Sequence, residues 1–119
     1  MNPTLKNGNI ILMKKYNMQL SNNDIVVIKK DKKIIVKRIV GIPGDNIKIN
    51  DYVFVNGEKF DEIITENSGY LKNEIHLNDK EYFVLGDNRE HSIDSRFEEI
   101  GIVLEQEIIG KVILDRGGK

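Results

Sequence analysis

Short apolar runs, many of them β-branched, alternate along the chain with clusters of turn-forming residues. β-Branched side chains fit a pleated, half-buried surface, so these runs predict strands. The predicted strands cover residues 9–15, 24–30, 33–40, 46–50, 52–55, 81–85 and 111–114. Asn56-Gly57, directly after one of them, is a strong β-hairpin signal. The pattern as a whole predicts an all-β domain, built as a coiled sheet or a partly open β-barrel with little helix.

The length of 119 residues suits a single domain over 1–119. Between 60 and 80 the composition becomes polar. Because apolar strands resume on both sides of that stretch, we expect a surface excursion rather than a linker. Residues 105–109 predict one helical turn that ends at Gly110.

The charge balance and the lack of cysteine argue against several classes of function and of site. Lys and Arg number 18 against 19 Asp and Glu, which leaves a formal charge of −1. This balance argues against a nucleic-acid binder and gives no reason to expect a polybasic membrane patch. The absence of cysteine excludes disulfides, thiolate nucleophiles and cysteine metal sites. No apolar run approaches the roughly 18 to 20 residues that cross a bilayer, so the chain alone is expected to be soluble.

The densest polar segment, residues 86–96, follows the predicted strand at 81–85. It holds five charged side chains, an asparagine, a histidine and two serines. Such residues suit a buried polar network that fixes a geometry, although composition alone favours a solvated loop. His76 and His91 stand apart without metal-ligand spacing, so no metal site is predicted.

A second feature is a lysine inside the predicted strand at 33–40. With a strand period of two, Lys37 shares one face with Ile35 and Ile39. An amine between two isoleucines is partly desolvated, which lowers the pKa of a lysine toward the range of a general base. An edge-strand lysine that discourages aggregation is the alternative, and the residues alone favour it.

Four segments resemble, in family order, the sequence boxes of type I signal peptidases, the bacterial leader peptidase family. Lys37–Asp45 (KRIVGIPGD) looks like the lysine box, in which K-R precedes two hydrophobic residues, G, a hydrophobic residue and P-G-D. Gly86–Arg96 matches the box G-D-N-R-x-x-S-x-D-S-R at each defined position. Asn23–Val27 (NDIVV) resembles the G-D-hydrophobic-V box with Asn in place of glycine, and Met1–Leu5 (MNPTL) looks like the end of the S-M-x-P-T-L box. The resemblance therefore covers most of the chain.

This resemblance implies a serine–lysine endopeptidase with the signal-peptidase fold. Lys37 would be the general base that takes the proton from a serine hydroxyl. Ser92 would hydrogen-bond to that amine and orient it, while Ser95 would be structural. The implied structural ion pairs are Arg38 with Asp87 and Asp94 with Arg96.

The resemblance also implies where a substrate would bind. Met1, Leu5, Ile35 and Val36 would line shallow apolar pockets for small side chains beside the cleavage site. The edge of Ile34–Lys37 would pair with the extended substrate by β-augmentation. No metal or organic cofactor is implied, because a lysine acts as the base.

The nucleophile of the family falls outside this chain. In the family box the serine immediately precedes the methionine that matches Met1, so the chain as printed is expected to be inactive. No other serine stands in a matching position; the serines present are Ser21, Ser68, Ser92 and Ser95. Three explanations are open: an internal methionine of a longer protein, deliberate shortening, or natural loss of the nucleophile. Retention of the base and its orienting serine favours the first two.

For the complete protein, the resemblance implies removal of signal peptides from exported preproteins at the extracytoplasmic face of the cell membrane. Its partners would be those signal peptides and, through an N-terminal anchor missing from this chain, the membrane. The alternative is a catalytically dead homologue that binds peptides or assists assembly in protein or surface-fibre export. Serine encoded just before Met1 would favour the enzyme. The self-cleaving repressors of the DNA-damage response, a related serine–lysine fold, cut an Ala-Gly or Cys-Gly bond, and this chain has neither alanine nor cysteine.

Overall fold

The computed structural model describes residues 10–14, 19–49, 51–61, 63, 74–87, 94–95 and 100–114. Within these ranges the strands are β1 (Ile10–Lys14), β2 (Ile25–Lys30), β3 (Lys33–Gly41), β4 (Asn46–Ile49), β5 (Val53–Val55), β6 (Glu58–Lys59), β7 (Ile75–His76), β8 (Glu81–Leu85), β9 (Val103–Leu104) and β10 (Ile108–Leu114). A 3-10 turn, Glu105–Glu107, separates β9 from β10. The predicted all-β class with little helix is confirmed.

Among the described residues the strands form two antiparallel sheets and no closed barrel. The larger sheet has the order β1-β10-β2-β3-β8-β9, and the smaller one has the order β6-β5-β4-β7. Strand β3 is central to the larger sheet. It pairs with β2 from Lys33 to Arg38, and with β8 from Arg38 to Gly41 across an irregularity in register.

Local turn chemistry explains several of these elements. Asn56 and Gly57 have φ values of 54° and 86°, the positive values that a two-residue hairpin turn requires, so the predicted hairpin between β5 and β6 is confirmed. The predicted helical turn over 105–109 is shorter in the structure, because β10 already begins at Ile108. Strands β6, β7 and β9 escaped prediction because two residues are too few to show a period.

Two hydrophobic clusters form the core. The first core cluster contains Val26, Ile28, Ile39, Tyr82, Val84, Ile100, Val103 and Ile108. The second core cluster contains Val40, Ile47, Ile49, Val53, Leu77, Phe83 and Leu85. Successive side chains of a strand point to opposite faces, so β3 and β8 contribute to both clusters. This explains the consecutive apolar residues Ile39-Val40 in β3 and Tyr82–Leu85 in β8.

The end of β3 fixes the smaller sheet against the larger one. Gly41 lies where an added Cβ atom would approach the side chains of Ile47 and Leu77 to 2.7 and 2.8 Å, so a residue without a side chain fits there. Asp45 then binds both sides of the junction. Its carboxylate accepts a hydrogen bond from the Asn56 side chain, in the smaller sheet, at 2.9 Å, and one from the Asn22 side chain, in the turn before β2, at 3.5 Å.

Candidate active site

Lys37 lies on β3, on the face that carries the first core cluster. Its cross-strand neighbour on β2 is Val26, which is fully buried. The residues two positions away are Ile39, which belongs to the first core cluster, and Ile35, which packs against it. The Lys37 side chain is half-buried. The aliphatic side chains of Val26, Ile35 and Ile39 therefore surround the stem of Lys37 on three sides within the sheet.

Arg38 points to the opposite face and forms a bidentate ion pair with Asp87. Its Nε and Nη2 atoms donate to the two carboxylate oxygens at 2.9 and 3.0 Å, and its Nη1 atom donates to the carbonyl of Asn23 at 2.9 Å. The hydrogen bond that Arg38 donates to Asp87 raises the pKa of Arg38 despite opposing desolvation, and the negative charges of Asp87 and Asp61 raise it further. Two of the sequence-predicted residues, Arg38 and Asp87, are thus brought together.

The far end of the polar loop is fastened to β8 by buried polar side chains. Ser95 and Asp94 are fully buried. The Ser95 hydroxyl accepts a hydrogen bond from the amide of Val84 at 3.0 Å, and the Ser95 amide donates to the carbonyl of Val84 at 3.1 Å. The Asp94 carboxylate accepts a hydrogen bond from the amide of Gly86 at 3.0 Å. These bonds bring the loop back to the strand from which it starts, so both of its ends lie beside the Arg38–Asp87 pair.

Several predicted site residues lie outside the described ranges. These are Met1, Leu5, Ser92 and Arg96. The predicted contact between Ser92 and Lys37, the predicted Asp94–Arg96 pair and the apolar pocket residues near the N-terminus remain predictions.

Part of one edge of β3, the open edge, has no pairing strand among the residues that the structure describes. Strand β8 pairs with β3 only from Arg38 onward. From Lys33 to Lys37 no strand of the described residues pairs with the edge that faces away from β2. Ile34 is 63% exposed on this segment, whereas Ile35 and Val36 are half-buried. An extended peptide could therefore add to the sheet here and reach the lysine at the end of the open segment.

The turn before β2 supports the same part of β3, which sequence reasoning did not foresee. The amide of Asn23 donates to the carbonyl of Ile39, and the amide of Ile39 donates to the carbonyl of Asp24, both at 2.8 Å. The Asp24 carboxylate also lies 3.4 Å from the Lys111 amine on β10. Asp24 belongs to one of the sequence boxes, so its motif position was a usable signal, whereas nothing in the sequence pointed to Lys111.

Comparison with known proteins identifies the class to which this fold and site belong. A model of the family "Signal peptidase, peptidase S26" matches residues 1–115. Signal peptidase I S of Bacillus subtilis (strain 168) is 35% identical over an alignment of 126 positions, which covers 92% of this chain and 68% of that protein. Signal peptidase IB of Staphylococcus aureus (strain Mu50 / ATCC 700699) is 36% identical over 138 residues, covering 94% of this chain and 70% of its own.

A solved structure shows the same fold. The signal peptidase I of Enterococcus faecalis V583 superposes with a TM-score of 0.60 and 23% identity, over 78% of this chain and 96% of that one. With the family match and the curated relatives, this establishes that the chain belongs to the signal peptidase I family. None of the helices within the described ranges is long and apolar enough to span a membrane.

Proposed function

We propose that this chain carries the general base and the substrate-binding edge of a serine–lysine endopeptidase that removes signal peptides from exported preproteins. Family membership supports the reaction class, since relatives at about this similarity are signal peptidases by name. The observation that carries the proposal is the position of Lys37, a half-buried lysine on the first-cluster face at the end of the open edge of β3.

In the proposed reaction the serine oxygen attacks the carbonyl carbon of the scissile bond. The hydroxyl proton passes to the Lys37 amine and then to the nitrogen of the leaving peptide, which gives an acyl-enzyme. Lys37 next takes a proton from a water molecule, whose oxygen attacks the acyl carbon. The ester bond to the serine breaks, the signal peptide leaves as a carboxylic acid, and the Lys37 ammonium returns its proton to the serine oxygen. Aliphatic surroundings favour the neutral amine that both steps require. Ser92 is proposed to orient this amine, and the nucleophile is the serine expected directly before Met1.

The Arg38–Asp87 pair is proposed to fix the position of the general base, Lys37, through the strand that carries both Lys37 and Arg38. Arg38 follows Lys37 on β3, and its guanidinium joins the strand to the first residues of the polar loop and to the turn at Asn23. Asp94 with Arg96 is proposed to do the same at the far end of the loop. The pairs would thereby keep the Ser92 hydroxyl and the Lys37 amine in one arrangement, and small displacements of reacting groups are costly in rate.

Substrate binding is proposed along the open edge of β3. A peptide paired with Ile34–Lys37 would place alternate side chains on the two faces of the sheet. Ile35 and Val36, with Met1 and Leu5, are proposed to shape the shallow pockets for small side chains. The whole protein is proposed to act at the extracytoplasmic face of the cell membrane, held there by an N-terminal anchor.

A preprotein cleavage assay on the protein at its natural length tests this function. The comparison uses the parent, Lys37→Ala and the matched control Lys48→Ala, an exposed lysine on β4. We expect the parent and the control to cut the preprotein at one bond, and Lys37→Ala to lose about 10³-fold or more in rate. A parent that binds the preprotein without cutting it would instead support the dead, peptide-binding homologue. Unchanged cleavage by Lys37→Ala would refute the assigned base.

A further inference from the structure

The hairpin that joins β2 to β3 is strongly basic although the whole chain is slightly acidic. Its lysines are Lys29, Lys30, Lys32 and Lys33, interrupted by Asp31 alone. Lys30 is neutralised by Glu107 at 3.0 Å. Within the described ranges, no carboxylate forms an ion pair with the other three lysines, all of which are exposed. The near-zero net charge therefore conceals a local positive patch, which the composition did not lead us to expect.

An exposed aliphatic side chain lies within this patch. Ile34 is 63% exposed, more than any other large hydrophobic residue of the described ranges, and it pairs across the hairpin with Lys29. A large apolar side chain among unpaired lysines is a common composition for surfaces that contact a lipid interface, because the apolar group enters the headgroup region while the ammonium groups reach phosphates.

The proposed path of the substrate implies that the same hairpin faces the membrane. Because β8 occupies the edge of β3 from Arg38 onward, a bound peptide can pair only along Lys33–Lys37. If its cleavage site lies at Lys37, the residues held on this edge run about 13 Å toward the hairpin tip, at about 3.3 Å per residue. In a peptide bound parallel to β3, these residues precede the scissile bond and belong to the signal peptide, whose apolar stretch then continues beyond the tip. A membrane-embedded stretch leaving the sheet at this point requires the tip to face the bilayer.

We propose that the hairpin tip, residues 29–34, docks on the surface of an anionic lipid bilayer. Lys29, Lys32 and Lys33 contact the negative headgroups and Ile34 enters the interface. The orientation argument rests on the proposed function, whereas the charge and exposure of the tip do not. Docking would place the open edge of β3 at the point where a signal peptide leaves the membrane.

Vesicle co-sedimentation of the printed chain tests this docking without any cleavage step. Vesicles of phosphatidylcholine with phosphatidylglycerol are compared with vesicles of phosphatidylcholine alone. The hairpin variant carries Lys29→Gln, Lys32→Gln and Lys33→Gln. The matched control carries the same loss of charge at three exposed lysines elsewhere, as Lys48→Gln, Lys59→Gln and Lys80→Gln.

We expect the parent to bind the anionic vesicles and to dissociate at about 1 M salt, where the Debye length is about 3 Å. The hairpin variant should lose roughly fivefold in partition coefficient per lysine, about 1 kcal/mol each, while the control variant changes by less than about threefold. Equal loss in both variants, or equal binding of the parent to both kinds of vesicle, would overturn the proposal. A chain that docks as expected but whose Lys37→Ala variant still cleaves would refute the proposed function and leave the docking site intact.

Discussion

Breaking the Arg38–Asp87 pair should measurably destabilise the protein. The pair consists of two charge-assisted hydrogen bonds of 2.9 and 3.0 Å between side chains that are 21% and 13% exposed. Hydrogen bonds to charged groups contribute about 1.5–3 kcal/mol each, but the two bonds share one desolvation cost and solvent still screens the pair. We therefore expect Asp87→Asn to lower the free energy of unfolding by about 2 kcal/mol.

A double-mutant cycle separates the pair from its surroundings. The cycle uses Arg38→Gln, Asp87→Asn and the double variant, each unfolded in urea and followed by circular dichroism. The control cycle uses Lys30→Gln and Glu107→Gln, a pair with similar exposure, 20% and 21%, but with an ammonium in place of the planar guanidinium. We expect a coupling energy of about 2 kcal/mol for Arg38–Asp87 and of at most about 1 kcal/mol for Lys30–Glu107. Equal coupling in the two cycles would contradict the argument that bidentate geometry fixes the loop to β3.

Three further perturbations test the packing around the site. Gly41→Ala brings a methyl group to within 2.7 and 2.8 Å of the terminal Cδ1 atoms of Ile47 and Leu77. These side-chain ends must shift to make room, so the free energy of unfolding should fall by about 1 kcal/mol, the lower end of the cost of overpacking. An unchanged free energy of unfolding would show that the junction has room. Ser95→Ala leaves the buried amide of Val84 without its hydroxyl acceptor and should cost about 1–3 kcal/mol in urea unfolding, whereas no loss would mean that the loop is not held there. Burial, with a smaller effect of the Glu105 charge, raises the pKa of Tyr82 above 10.0. The stability linked to the neutral phenol is complete below pH 10.0 and is lost as pH rises through the folded-state pKa. Above pH 10.0 the parent should therefore lose more stability than Tyr82→Phe. Equal losses would count against a raised pKa for Tyr82.

The strands were predictable wherever the sequence pattern is long enough to show a period. Strand β3 is the clearest case, because its alternation assigns Lys37 to the face of Ile35 and Ile39 before any contact is known. The same alternation could not show that both faces of this strand are buried. That follows from the packing of a second sheet, which depends on residues far along the chain such as Leu77.

The motif positions predicted which residues matter, but they did not predict what each residue does in the structure. The resemblance singled out Gly41 and Asp45, but only the structure shows that one gives room to two side chains and that the other joins the smaller sheet to the turn before β2. Asp61 had no sequence signal because it lies in a polar stretch, yet its charge acts on Arg38. Net charge was equally uninformative about the hairpin tip, since it averages over the whole surface.

The central claim is that the amine at position 37 performs the proton transfer. The printed chain contains no cysteine, so Lys37→Cys introduces a single thiol there. In the protein at its natural length, alkylation of that thiol with 2-bromoethylamine rebuilds a side chain of nearly lysine length that ends in an amine. The account predicts that Lys37→Cys cleaves preprotein about 10³-fold more slowly than the parent, that 2-bromoethylamine restores a large part of this rate and that iodoacetamide restores none. Rescue by both reagents, or by neither in a folded protein, would contradict it.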